Sequence, residues 1–143
     1  MKKEQDMVRE FHVAFLHPVS DCPKMLSSDR VEGRAGWMTE EVNEFISAKT
    51  LDEQADAMVD LMYFALGTLV EMGVDGEKLF HIVHQANMTK LWPDGKPRFR
   101  AGDGKVQKPP TWVDPHKALK IELVKQIQKA KVNNNEQPVI RSI

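Results

Sequence analysis

From Ala57 to Val70 the sequence reads AMVDLMYFALGTLV, an apolar run broken by a single charge, Asp60. Upstream, Thr50-Leu51-Asp52-Glu53 has the residues of a capping box, with Thr50 as N-cap and Glu53 at the third helical position, and Gly73 supplies the stop. The predicted helix is apolar nearly all round, so it must be covered on several sides. A chain of 143 residues supplies few neighbours for it. The pattern therefore predicts a helical bundle whose core is completed by homo-oligomerisation, as a homodimer or a homotetramer. Asp60 needs a reason of its own. A carboxylate in such a run costs several kcal/mol unless it is paired, protonated or bound to metal, and a divalent cation is the reason that fits best.

The other periodic segments are also helical. Met7, Phe11, Ala14 and Phe15 recur at three- and four-residue intervals, which predicts a helix over about 3–16, ended by His17-Pro18. Ser27, Ser28 and Asp29 compete as N-caps for a second helix reaching about Lys49. Asp75 caps a fourth to about Leu91, and Asp114-Pro115 opens a last one to about Lys131. Residues 92–114 are too rich in Gly and Pro to be regular and read as a long ordered loop or arm. No alternating strand pattern competes, so the fold class expected is all-α. One domain is expected over residues 1–132, with a C-terminal helix over 115–132 and a flexible tail over 133–143.

Bulk properties exclude several classes. Twenty basic and 21 acidic residues nearly cancel, so no overall field favours nucleic acid or an anionic membrane. One cysteine, Cys22, rules out an internal disulfide and any zinc site of several thiolates. The lysine-rich start lacks a signal-peptide core, and no apolar stretch reaches the roughly 18 to 20 residues of a membrane span. A soluble, cytoplasmic protein is expected, with neither membrane nor nucleic acid as partner.

The acids form a constellation. Glu41 and Glu44 are spaced i,i+3 on one helix face, with Glu40 near its edge, while Asp56 and Asp60 are spaced i,i+4 on the next helix with Glu53 one turn earlier. Facing carboxylate pairs repel, whereas hard oxygen donors so arranged suit Mg²⁺, or Mn²⁺ in its place, each keeping waters to bridge to phosphates. The competing reading makes Glu40, Glu41 and Glu53 solvated surface acids and pairs Asp60 with Arg34 or a lysine. Spacing alone leaves both open.

Phosphate-binding candidates lie downstream. His84, Asn87 and Lys90 form a polar stripe at the end of the fourth helix, a face that can meet a triphosphate. Lys90 would act as a point charge and Asn87 as a neutral donor, the alternative being a lysine that suits the negative helix terminus. Between Trp92 and Val113, Lys96, Arg98, Arg100, Lys105 and Lys108 outnumber Asp94 and Asp103, so the arm, through Lys96 and Lys105 above all, can close over a polyanion or be a solvated basic loop. Arg34 can reach a phosphate or neutralise the acids. Trp92, Phe99 and Trp112 are read as pins holding the arm, and Trp37 as core or interface.

Glu40-Glu41-x-x-Glu44, followed by the Asp pair inside ADAMVDLMYFALGTLVEMGVD, resembles the all-α nucleotide pyrophosphohydrolase superfamily, which includes MazG-like enzymes, dimeric dUTPases and the phosphoribosyl-ATP pyrophosphohydrolase of histidine synthesis. The string VHQANMTKLWPDGKPRFRAGDGKVQKPPTW is similar to a MazG-like subgroup, and the likeness runs from about Val8 to Asp114. The resemblance implies that Glu41, Glu44 and Asp60 bind Mg²⁺, with Glu40 binding metal or positioning the attacking water. The usual pattern has Glu three residues before the final Asp; here that position is Ala57, and Asp56 lies one residue earlier. The function expected is Mg²⁺-dependent hydrolysis of a nucleoside triphosphate to monophosphate and pyrophosphate, with Glu40 or Glu41 handling the water. No GxxxxGK loop or motif for a covalent nucleophile offers another route. Nucleotide-pool cleansing, or phage and mobile-element nucleotide metabolism, would use such an activity. The alternatives are phosphoribosyl-ATP hydrolysis and a non-catalytic, metal-binding helical interaction protein.

Overall fold

The computed structural model describes residues 1–136. It contains α1 (Lys2–Ala14), α2 (Ser28–Ser47), α3 (Leu51–Met72), α4 (Gly76–Met88) and α5 (His116–Glu136), with no strand among the described residues. The all-α expectation holds. The last helix runs on through Asn133–Glu136, which corrects the expected end near residue 132. Of the tail predicted over 133–143, residues 137–143 lie outside the described residues. The chain forms two compact units, one of Met1–Gly76 together with the chain from Gln126 on, the other of Glu77–Lys125.

In the first unit the ends of α3 follow from its sequence. Thr50 accepts a hydrogen bond from the Glu53 backbone N–H while the Glu53 carboxylate accepts from the Thr50 N–H, so the capping box is complete. Gly73 closes the helix at φ +68, where a β-carbon would come within 2.5 Å of the Cys22 carbonyl oxygen. The segment after α1 seals that end, with the N–H groups of Ser20 and Lys24 donating to the carbonyls of Val70 and Met72.

Residues 48–50 join α2 to α3 as an αα-hairpin. The pair runs antiparallel: Arg30 and Arg34 meet Glu71, Trp37 stacks on Phe64 at 5.8 Å between ring centroids, and Glu41 lies in the field of Asp60 and Asp56. Its packing is thus basic at one end, aromatic in the middle and acidic at the other. Helix α1 packs on α3 through Val8 and His12. Among the described residues the buried hydrophobic side chains are only Val8, Ala57, Val70 and Val74. Val42, Phe45 and Ile46 of α2 and Leu51, Val59 and Met62 of α3 stay exposed.

In the second unit the Trp112 indole donates to the Ala86 carbonyl at 3.0 Å, and Pro109 is buried. Trp112 pins the arm to α4, as expected. The arm folds back on itself at an isolated antiparallel bridge between Phe99 and Val106. No single described helix is long and apolar enough to cross a membrane.

Candidate active site

The acids of α2 and α3 differ in their surroundings. Glu41 is buried, 9% exposed, while Glu40, Glu44, Asp56 and Asp60 are exposed. This reverses the expectation for Asp60, which the apolar run made look like the buried charge. It sits on the flank of α3 that this chain leaves uncovered. The desolvated acid is Glu41, one turn after Trp37. Burial raises its carboxyl above the ordinary glutamate range, and the negative charges of Glu44, Asp60, Glu40 and Asp56 raise it further. All four other candidate acids therefore act on this one group. Its Oε2 is buried with no hydrogen-bond partner.

A buried carboxylate oxygen without a donor, ringed by like charges, is a poor arrangement for a protein alone and a suitable one for a hard cation. The donor set fits Mg²⁺ in kind, being carboxylate oxygen throughout. Among the described residues no three Asp, Glu, His or Cys side chains close to metal-holding distance of one another. Glu44 and Asp56 line a cavity of about 280 Å³ with Ser47, Ala48, Lys49 and Glu53. Glu53 is spent on the helix cap, where its Oε2 accepts from the N–H groups of Lys49 at 2.6 Å and Thr50 at 3.1 Å. Burial offsets part of that gain, yet its carboxyl stays below its ordinary value.

On the other side of Glu41, Trp37 and Phe64 help enclose a second cavity of about 230 Å³, completed by Phe11, His12, His17, Arg34 and Tyr63. The Phe11 ring meets Tyr63 edge-on at 5.6 Å and stacks on His17 at 5.8 Å. Such a box presents flat, polarizable walls to a planar ring.

Arg34 lies where neither reading of it from sequence placed it. It is 4% exposed, pairs with Glu71, which is 1% exposed, and approaches the Trp37 ring at 5.2 Å. It neutralises Glu71 and not the acid cluster, while its Nε is buried without a partner. Arg30 adds a fork to the same carboxylate, Nε to Oε2 at 3.2 Å and Nη2 to Oε1 at 2.5 Å. Burial alone pushes Glu71 up; the hydrogen bonds and charges of both arginines outweigh it and hold it below the ordinary range. His12 completes the group. Its Nδ1 lies 2.8 Å from the Pro18 carbonyl oxygen, which only accepts, so Nδ1 carries the proton and Nε2 accepts from Arg34 at 3.2 Å. Burial lowers its pKa and so keeps the imidazole neutral. Gly67 makes room, since a β-carbon there would stand 2.8 Å from His12 Nε2 and 3.0 Å from Arg34 Nη1.

Sequence reasoning passed over Glu71 and His12. The signal was present: Gly67, Val70 and Glu71 continue one stripe of α3, and Arg30 and Arg34 are spaced i,i+4. The phosphate candidates Asn87, Lys90, Lys96 and Lys105 belong to the second unit, where Asn87, Lys96 and Lys105 are exposed and Lys90 is half-buried.

The profile of the phosphoribosyl-ATP pyrophosphohydrolase family matches residues 8–87, more than half of the chain. The chain belongs to that family. A solved structure of a candidate NTP pyrophosphohydrolase from Exiguobacterium sp. 255-15 is 33% identical, with a TM-score of 0.51, over 88% of this chain and 96% of the other. No curated protein matches. The acids of α2 and α3 thus sit in a pyrophosphohydrolase of the all-α, MazG-like superfamily, a hydrolase acting on pyrophosphate bonds. The profile takes in α2, α3 and nearly all of α4, so Glu40, Glu41, Glu44, Asp56, Asp60 and Asn87 fall inside it.

Proposed function

We propose that the chain is a Mg²⁺-dependent nucleoside triphosphate pyrophosphohydrolase that releases a nucleoside monophosphate and pyrophosphate. The observation that carries this reading is the buried, partnerless Oε2 of Glu41 under the combined charge of four other carboxylates, in a family that cleaves pyrophosphate bonds. Glu41, Glu44, Asp56 and Asp60 would hold the cation, with Mn²⁺ as a substitute. Once bound, it would neutralise phosphate charge and polarise the scissile bridge.

The chain's own residues do the rest. Glu40 or Glu41 orients a water against a phosphorus of the α–β bridge and accepts its proton; the water oxygen forms a new bond to that phosphorus as the bond to the bridging oxygen breaks, and pyrophosphate leaves. The base stacks in the box of Trp37, Phe64, Tyr63 and Phe11, one helical turn from the acids. Asn87, Lys90, Lys96 and Lys105 are the phosphate-binding candidates of the second unit. Arg34 serves the site indirectly, by backing Trp37.

The few buried apolar side chains, and the exposed Val42, Phe45, Ile46, Val59 and Met62 on α2 and α3, support a homodimer or homotetramer joined through these helices. Light scattering of the purified chain reads the mass directly. A cytoplasmic location belongs to the same proposal, and the single cysteine, which can form no internal disulfide, suits a reducing compartment.

A panel of ribo- and deoxyribonucleoside triphosphates with Mg²⁺, scored for monophosphate and pyrophosphate, tests the reaction. Asp60→Asn and Glu44→Gln should abolish product and leave the circular dichroism unchanged. Retained turnover in both variants would refute the assignment of the acids. The family profile carries the name of phosphoribosyl-ATP hydrolysis, which favours that substrate as a second reading. Its turnover beside the triphosphates separates the two. Consumption of neither substrate would leave a metal-binding interaction protein.

A further inference from the structure

The arm of the second unit gathers more positive charge than its structure spends. Arg98 pairs with Asp94 at 3.6 Å, and Arg100 forks onto Asp103. Asp94 and Asp103 also accept from the backbone N–H groups of Lys96 and Lys105, so both acids between Trp92 and Val113 are used in holding the arm's turns. Lys96, Lys105 and Lys108 then have no carboxylate partner among the described residues. Lys108 lies 3.7 Å above the Trp112 ring, and Arg98 lies 3.8 Å above the Trp92 ring. Cations parked on aromatic faces keep their N–H donors available to an anion.

Lys105, Lys108, Arg100, Gln107 and Trp92 line one cavity of about 530 Å³ with Val106 and Pro110. Each polar side chain among these carries at least one hydrogen-bond donor, and no carboxylate is among the lining residues. The Trp92 indole N–H is buried with no acceptor among the described residues. A buried donor left unmatched is a cost that an acceptor-rich ligand removes. The hairpin bridge between Phe99 and Val106, with Arg100 N–H donating to the Lys105 carbonyl at 2.8 Å and Gln107 N–H to the Arg98 carbonyl at 2.7 Å, fixes the spacing of these groups.

We propose that this arm is an oligophosphate-binding site in its own right, in which Lys105, Lys108 and the Trp92 indole N–H hold a di- or triphosphate group without any metal. The choice of an oligophosphate over other anions rests on the pyrophosphohydrolase reading. The site therefore takes either the tail of the incoming nucleotide or the released pyrophosphate. Its location in the second unit makes it separable from the acids of α2 and α3.

The test titrates inorganic tripolyphosphate into the full-length protein in EDTA, read by calorimetry and by tryptophan fluorescence. Removing divalent ions leaves the acid cluster repelling the probe, so heat reports the arm. Saturable binding is expected, at least tenfold weaker in Lys105→Ala/Lys108→Ala and several-fold weaker in Trp92→Phe, which keeps the ring and loses the donor. Glu41→Gln should bind as the parent does. Both lysines are exposed, and unchanged circular dichroism confirms that the variants fold. Pyrophosphate and an α,β-non-hydrolysable nucleoside triphosphate, titrated in parallel, identify the tighter source. Absence of saturable binding, equal affinity in the double lysine variant, or tighter binding of a single-stranded oligonucleotide would each overturn the proposal. Pyrophosphate release with Mg²⁺, scored separately, tests the hydrolase reading; a protein that hydrolyses triphosphates but ignores tripolyphosphate in EDTA refutes the arm alone.

Discussion

Replacing Glu71 by alanine should be among the most damaging single changes in the first unit. The carboxylate is 1% exposed and balances Arg34, itself 4% exposed. Its removal strands a buried guanidinium, and breaking a buried pair from one side costs about 3–5 kcal/mol. Arg30, about a third exposed, can turn to water and adds little. For a chain of this length the loss corresponds to roughly 9–15 °C in Tm at about 3 °C per kcal/mol. Urea and thermal denaturation followed by circular dichroism measure it. The double variant Arg34→Met/Glu71→Leu should recover much of the loss, since an apolar pair of similar volume replaces a buried ion pair at little cost. The pH dependence follows from the sign of the shift. Glu71 titrates below its ordinary value, because its arginine partners outweigh its burial. Its contribution is therefore complete above the unfolded value near 4.3 and is lost as pH falls through the folded one. The gap between parent and Glu71→Ala should stay level from pH 7 to about 5 and narrow below 4. A Glu71→Ala protein within about 1 kcal/mol of the parent at pH 7 would refute this account of the buried network.

Gly67→Ala tests the same network from the opposite wall: helix propensity favours alanine by about 1 kcal/mol, but a β-carbon 2.8 Å from His12 Nε2 should turn the net effect into a loss of about 1–3 kcal/mol, read by the same denaturation. Glu41 has the opposite pH sign from Glu71, since its folded carboxyl is raised and its ionisation works against folding as pH rises past the ordinary value. In EDTA at pH 7.5, Glu41→Gln should raise Tm; Mg²⁺ should raise the parent's Tm and leave the variant's unmoved, and an equal rise in both would show that the cation sits elsewhere. Trp37→Ala should raise KM for nucleoside triphosphates about tenfold or more with a smaller change in kcat, whereas a loss confined to kcat would remove the base from that cavity.

Local rules carried the helices. Thr50 and Glu53 make a cap from four consecutive residues, and Gly73 stops α3 by its own φ, so α3 was legible in full. The i,i+3 and i,i+4 spacings of Glu41, Glu44, Asp56 and Asp60 also depend on one helix at a time, and the faces they predicted do bring Glu44 and Asp56 to one cavity. What spacing does not carry is depth. Asp60 lies inside an apolar run yet faces outward, while Glu41, set among polar neighbours in TEEVNE, is desolvated because α3 lies across it. Burial is a property of two helices together. Arg34 shows the same limit: its partner Glu71 is 37 residues away, and choosing between Glu71, a phosphate and the acid cluster requires the register of α2 on α3.

That register also explains how one helix pair tolerates a crowd of carboxylates. The repulsion felt by Glu41 lies at the end of the hairpin where residues 48–50 tie α2 to α3, and there Glu53 draws in the N–H groups of Lys49 and Thr50. Opening that end would break the cap as well as relieve the charges. At the far end no short connection holds the helices, and there Arg30 and Arg34 grip Glu71. Attraction is placed where the chain is free to part, and repulsion where covalent geometry prevents it. The acids thus stay near one another at a cost confined to a few residues, and under the proposed function a hard cation drawn in beside Glu41 would relieve that cost. The ion pair at one end of α2 and α3 is in this sense part of what holds the carboxylates together at the other.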